Sequence, residues 1–258
     1  MPPRRGDHQR WRRPTQCRLS PPVQLVHRTR PADLEVKLVI LRHGGTEWTL
    51  SGRYTGTTDL PLTATGHRQA ALLAPLAKRV LSGQNALAFS SPRLRATTTA
   101  GLALPNWHVT VDPLVAEYDY GDYEGLTHDQ ILARAPGWDI WRDGCPHGES
   151  TAAVGVRADA FLDAHVETCT EAVVVVTHGH FSRILAARAL GLAAEKGRLF
   201  ASITASIAVI EDYHGERCIG RWNIDAALLA DEGNGNPSHH DICATEPRRE
   251  DRLWHSTR

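Results

Sequence analysis

LVILRHGGTEW, residues 38–48, and VVVVTHGHFSR, residues 173–183, follow one pattern. Each is an apolar run that ends on a His–Gly pair. An uninterrupted apolar run of this length, with no polar alternation, reads as a strand buried on both faces, as in a parallel sheet. Ligands of parallel α/β sheets bind beyond the carboxyl ends of the strands. Two His–Gly turns at such ends can bring two imidazoles face to face. The glycines, Gly44 and Gly179, let the backbone turn tightly and let a ligand come close.

The rest of the chain alternates in the same way. Strands are expected at Val36–Leu41, Ala86–Ser90, Val109–Val111 and Val173–Thr177. Helices are expected at Thr63–Val80, with Thr63 able to cap it, and at Arg93–Leu104, Ser150–Thr168 and Phe181–Leu190. Ser202–Ile210 and Cys218–Trp222 read as strands joined by a turn at His214–Gly215. The expected fold is α/β: a three-layer α/β/α sandwich, with a mostly parallel central sheet and an antiparallel edge strand. The folded domain spans residues 35–228. Residues 1–34 carry eight arginines among prolines and read as a disordered tail, with an arm for anionic surfaces or an organellar targeting segment as the alternatives; the polar residues 229–258 also read as a disordered tail.

Bulk properties narrow the function. The formal net charge of the 258 residues is zero, so neither nucleic acid nor a membrane surface is an expected partner. The apolar runs are too short to span a bilayer. Five scattered cysteines without a CxxC pair argue against a disulfide scaffold or zinc knuckle and for a reducing, cytoplasmic setting. No secretory signal is visible. Lys37, Lys78 and Lys196 are the only lysines, so anions must be met by Arg, His and backbone amides. The planar fork of arginine suits phosphate.

Between the two His–Gly strands lie two more informative segments. SSPRLRA, residues 90–96, opens a helix after a strand, which places Arg95 with free amides at a positive helix terminus suited to phosphate. EYDYGDYEG, residues 117–125, supplies carboxylates in a loop. Together with GRYTGTTDLPLTATG, residues 52–66, these motifs resemble the histidine phosphatase superfamily, also called phosphoglycerate-mutase-like. The match runs over about residues 36–225, in order. SSPRLRA, YGDYEG and WDIWRDGCPHGES are similar to bacterial broad-specificity acid phosphatases and to fungal sedoheptulose-bisphosphatase-type enzymes.

The resemblance implies a phosphomonoester hydrolase that passes through a phosphohistidine and acts on small phosphorylated metabolites. His43 would accept the phosphoryl group, Arg42, Arg95 and His178 would clamp its oxygens, and Glu117 would donate the proton. Glu124 and Asp119 are alternative acids. Thr49, Thr55, Gly56, Tyr120, Gly179 and Arg183 are candidate substrate contacts, whereas Arg93 reads as a rim residue. His180 has no third ligand at suitable spacing, so no metal site and no cofactor is expected. Two positions depart from the family pattern: Gly45 replaces Glu or Gln, and Thr49 replaces the Asn of many mutases while keeping a hydroxyl for phosphate.

A phosphoglycerate mutase shares the phosphohistidine, and relatives of that kind carry a basic cluster after the glutamate motif. Here that segment holds only Arg134 and Arg142, with Trp138 and Trp141 between them. A phosphatase is therefore the preferred reading. A catalytically inactive binding module would be expected to lack the acceptor His or an arginine, and all five positions are intact. A homo-oligomer stays open.

Overall fold

The computed structural model of the chain describes residues 36–169 and 172–225. The tails expected at 1–34 and 229–258 lie outside these residues. In chain order the elements are β1 (Leu38–Arg42), α1 (Glu47–Leu50), α2 (Ala64–Leu81), β2 (Ala86–Ser90), α3 (Leu94–Ala103) and β3 (Val109–Val111). There follow α4 (His128–Arg134), α5 (Ile140–Asp143), α6 (Thr151–Phe161), β4 (Ala172–Thr177), α7 (Gly179–Ala189), β5 (Ser206–Tyr213) and β6 (Glu216–Asp225). The six strands form one sheet in the order β3-β2-β4-β1-β5-β6.

The four strands β3, β2, β4 and β1 run parallel, and β5 pairs antiparallel with both β1 and β6. The expected antiparallel edge is thus a hairpin, closed by His214 and Gly215. Both have positive φ, 53° and 81°, as a two-residue hairpin turn of the right twist requires.

Side-chain alternation makes the three layers. Val39, Leu41, Val174 and Val176 face α2 and α3. Leu38, Ile40, Val173 and Val175 face α6 and α7. Every residue of β4 is buried. Each fully buried valine there contributes about 1.5–3 kcal/mol, which explains why the most β-branched run sits at the centre.

Several boundaries differ from the sequence expectation. Arg93 is the N-cap of α3 rather than its first residue. The long helix expected over Ser150–Thr168 ends at Phe161 and continues as one wider turn, Leu162–Val166. The helix expected at Phe181 begins two residues earlier, directly after His178. The second His–Gly turn is therefore itself a helix N-terminus.

The loop after β1 is held against the start of α2 by close backbone contact. A Cβ on Gly66 would lie 2.0 Å from the Gly45 carbonyl oxygen, and one on Gly44 would lie 2.3 Å from that of Gly66. Gly101 in α3 has open space where a Cβ would go. Gly66→Ala is therefore expected to destabilise the protein by about 1–3 kcal/mol or more. Gly101→Ala is expected to stabilise it by about 0.5–1 kcal/mol. Urea unfolding of the two variants checks this; equal effects would contradict it.

Candidate active site

The first imidazole is set by strand pairing. β1 and β4 are in register with Arg42 beside Thr177, and the next residue, His43, donates its backbone N–H to the Thr177 carbonyl at 3.0 Å. This brings the His43 and His178 rings to 5.1 Å between centroids, at 64° to each other. His43 Nδ1 lies 2.7 Å from the Gly44 carbonyl oxygen. A carbonyl oxygen can only accept, so Nδ1 carries the proton and Nε2 carries the lone pair. Burial, then the charges of Arg42 and Arg95, hold the pKa of His43 well below the usual 6.5. Burial and the neighbouring Arg95 do the same for His178.

Around these rings, several buried N–H groups lack acceptors. Arg42 is tied through Nη1 to the Ser202 carbonyl. Arg95 is fully buried; its terminal nitrogens donate to the carbonyls of Thr58 (3.0 Å), Thr55 (2.9 Å) and Gly56 (3.0 Å). His178 Nε2 meets Ser91 Oγ at 2.7 Å. Because Ser91 Oγ already accepts from the Arg93 amide, it can give its own proton to Nε2, which leaves Nδ1 as an N–H. Arg42 Nε, Arg95 Nε and His178 Nδ1 are then all buried donors with no partner among the described residues. Each such group costs about 1–3 kcal/mol, a cost that a bound oxyanion would offset. Gly179 lets the Arg42 guanidinium lie close, since a Cβ there would sit 3.1 Å from Arg42 Cζ.

Of the three candidate acids, Glu117 reaches the cavity. Its Oε1 accepts from the amides of Tyr118 and Phe181, both at 2.9 Å, and its Oε2 from the His180 amide at 3.1 Å. The N-cap His178 makes no side-chain cap of its own, so Glu117 caps α7 from a separate loop. Glu124 instead binds the amides of Gly56 and Thr58, and Asp119 Oδ1 accepts from Gly121. Both shape the loops beside the site.

A cavity of about 260 Å³ opens in front of His43. Of the residues singled out in the sequence, Arg42, His43, Thr49, Thr55, Glu117, Tyr120, Gly179 and Arg183 line it, together with His180. Arg95 and His178 are buried residues outside its lining, and Gly56 also lies outside it, holding Glu124 with its amide.

Other expectations need correction. The Thr49 hydroxyl gives its proton to the Thr46 carbonyl at 2.8 Å and accepts from the Thr46 amide, so it closes a capping box rather than presenting a donor to phosphate. The start of α3 is also occupied. The Leu94 amide donates to Asp59 and the Arg93 amide to Ser91, so these two amides of the helix start are not free for an anion. Gly45 faces Gln69 on α2, 3.1 Å from where its Cβ would be, so this departure lies on the helix side of the loop. Arg93 is half-buried and lies outside the cavity lining.

Trp138 is a core residue whose Nε1 donates to the Gly144 carbonyl. Trp141 stands 5.3 Å from His180 and lies under the Arg183 guanidinium at 4.6 Å. Neither Arg134 nor Arg142 lines the cavity. Arg53, Tyr54, His128 and Ser202 do line it and were not singled out in the sequence. Arg53 and Tyr54 stand just before Thr55 in the quoted GRYTG motif and could have been found there, whereas Ser202 has no sequence signal.

No group of three or more metal-binding side chains occurs among the described residues. A paired-imidazole site at the carboxyl end of a parallel sheet, rich in arginine donors, is the architecture of enzymes that move phosphoryl groups. The family profile for the histidine phosphatase superfamily, branch 1, matches residues 38–225, and the chain belongs to that family.

An acid phosphatase of Mycobacterium tuberculosis is 43% identical over 185 residues, covering 70% of this chain and 89% of the relative. Sedoheptulose 1,7-bisphosphatase of Saccharomyces cerevisiae is 37% identical over 191 residues, covering 63% of this chain and 70% of the relative. A solved structure of an open reading frame from Mycobacterium tuberculosis superposes with a TM-score of 0.70 at 40% identity, covering 74% of this chain and 98% of that one. The chain is a phosphatase of this family, as its sequence motifs imply.

His43, His178 and His180 are all held neutral in the fold, the last pushed down to about 3 by burial and by Arg183 and Arg42. Unfolded, each takes a proton as the pH falls below about 6.5. The unfolded state then binds more protons than the folded one, so stability falls with decreasing pH from about 6.5 downward. The combined share of the three has a limiting slope of about 4 kcal/mol per pH unit. Urea unfolding at pH 7.5 and pH 5.5 should show the loss, and a smaller loss for His180→Phe; equal pH dependence in the two proteins would contradict it.

Proposed function

We propose that the chain hydrolyses small phosphorylated metabolites through a phosphohistidine formed on His43. The observation that carries this reading is the 2.7 Å contact between His43 Nδ1 and the Gly44 carbonyl, which leaves the Nε2 lone pair as the ring's nucleophile. Low basicity keeps that lone pair free in mildly acidic solution.

In the first step the phosphoryl oxygens take up the unpartnered donors Arg42 Nε, Arg95 Nε and His178 Nδ1. These donors stabilise the charge spread over the equatorial oxygens in the transition state. His43 Nε2 forms a bond to phosphorus as the ester P–O bond breaks, and Glu117 gives its proton to the departing oxygen. In the second step Glu117 takes a proton from water. The water oxygen bonds to phosphorus, the P–N bond breaks, and inorganic phosphate leaves with His43 neutral again.

Water is favoured over a second hydroxyl as acceptor by what the cavity lacks. The segment after the glutamate motif, residues 126–150, lends it His128 and neither of its arginines. The basic cluster that a phosphoglycerate mutase uses there is not built. The two relatives described above are named as phosphatases, one of them for sedoheptulose 1,7-bisphosphate. Sugar phosphates and related polyol phosphates fit a polar cavity of about 260 Å³. No helix among the described residues is long and apolar enough to cross a membrane. Cys145 is a buried thiol whose pKa burial raises to about 12, which keeps it unreactive beside the site.

His43→Ala should lower p-nitrophenyl phosphate hydrolysis by at least about 10³-fold, and EDTA should leave the wild-type rate unchanged. Retained activity in the variant would refute the nucleophile, and loss with EDTA the metal-free chemistry. A coupled assay of 3- to 2-phosphoglycerate conversion should show turnover far below phosphatase turnover; the reverse ranking would make the chain a mutase.

A further inference from the structure

Of the two cavity imidazoles that the proposed chemistry does not use, His128 is exposed and His180 is half-buried. The His180 Nδ1 lies 2.8 Å from the Tyr120 hydroxyl. Burial, then the nearby Glu117, raises the pKa of Tyr120 well above 10, so the phenol keeps its proton. The Tyr120 hydroxyl has no other partner among the described residues. If Nδ1 carried the hydrogen, the phenol proton would have no acceptor among the described residues. The phenol therefore donates to Nδ1, and the single hydrogen of the neutral imidazole sits on Nε2.

The His180 ring is packed on several sides. Tyr54 lies nearly parallel to it at 5.8 Å, and Trp141 stands 5.3 Å away. Its Nε2 makes no hydrogen bond among the described residues and is not fully buried. His180 lines the cavity, so this N–H is open to what enters there. The backbone amide of the same residue holds Glu117 Oε2 at 3.1 Å. A leaving group whose ester oxygen meets Glu117 thus has its neighbouring atoms within the province of the His180 ring.

We propose that His180, oriented by Tyr120, is a specificity-determining residue that hydrogen-bonds a hydroxyl of the leaving group close to its phosphate, selecting polyol phosphates over plain alkyl phosphates. This inference rests on the phosphatase reading above. Hydrogen-bonding sites reject analogues that lack the matching group, because the protein donor is then left unpaired. A charged donor would favour an anionic leaving group, whereas a neutral N–H fits a hydroxyl. The aromatic faces of Tyr54 and Trp141 around it suit the C–H faces of a sugar chain.

Glycerol 3-phosphate and propyl phosphate test this directly, since they share a three-carbon chain and differ in hydroxyls. Wild-type kcat/KM should favour glycerol 3-phosphate by about tenfold or more. That ratio should fall about tenfold in His180→Phe, mainly through KM for the polyol ester. His180→Gln, whose amide can place an N–H near the position of Nε2, should restore part of it, and Tyr120→Phe should lower it less than His180→Phe. An unchanged ratio in His180→Phe, or no wild-type preference, would overturn the proposal. If His180→Phe does not fold, the Gln and Tyr120 variants decide: wild-type ratios in both overturn it. Hydrolysis of p-nitrophenyl phosphate by the wild-type enzyme separates the two levels. Its presence with no polyol preference sinks the His180 role alone, and its absence sinks the phosphatase reading as well.

Discussion

The parallel pairing of β1 with β4, with Arg42 beside Thr177, is the constraint on which the site depends. A strand shifted by one residue turns every side chain to the opposite face. Here that would exchange Leu38 and Ile40 with Val39 and Leu41 between two filled cores. The same register sets His43 against His178. The valines that fix the sheet run directly into the two facing imidazoles, so core packing positions the site.

From that register the rest follows in layers. α7 begins at the residue after His178, so its first amides arrive beside the second imidazole and hold Glu117. β2 ends alongside β4, which delivers Ser91 to His178 and starts α3 so that Arg95 enters beneath the loop at Thr55–Thr58. Burial is the dominant cause of the lowered basicity of both imidazoles, and the arginine charges add to it. Buried donors without a partner among the described residues are the feature that the proposed anion contact rests on.

The sheet, its order of elements and the principal cluster were legible in the sequence because they rest on strong local signals. Unbroken apolar runs mark strands, and Thr63 marks a helix start. The short helices α1, α4 and α5 escaped, since four to seven residues fixed by capping side chains show no helical period. The roles of polar side chains were less legible. Thr49 and the amides before Arg95 looked free in the sequence but are committed to Thr46, Asp59 and Ser91. Which hydrogen bonds are already spent is a tertiary fact. So is the pairing of Tyr120 with His180 across 60 residues of chain.

The proposed chemistry turns on covalent transfer to one nitrogen. The most direct measurement is rapid-quench mass spectrometry of the enzyme during turnover of p-nitrophenyl phosphate, with the labelled peptide sequenced. The account predicts one acid-labile phosphoryl group on the imidazole of His43, appearing before phosphate release. A phosphoryl group on another residue, or full turnover with no covalent label at any time, would contradict it.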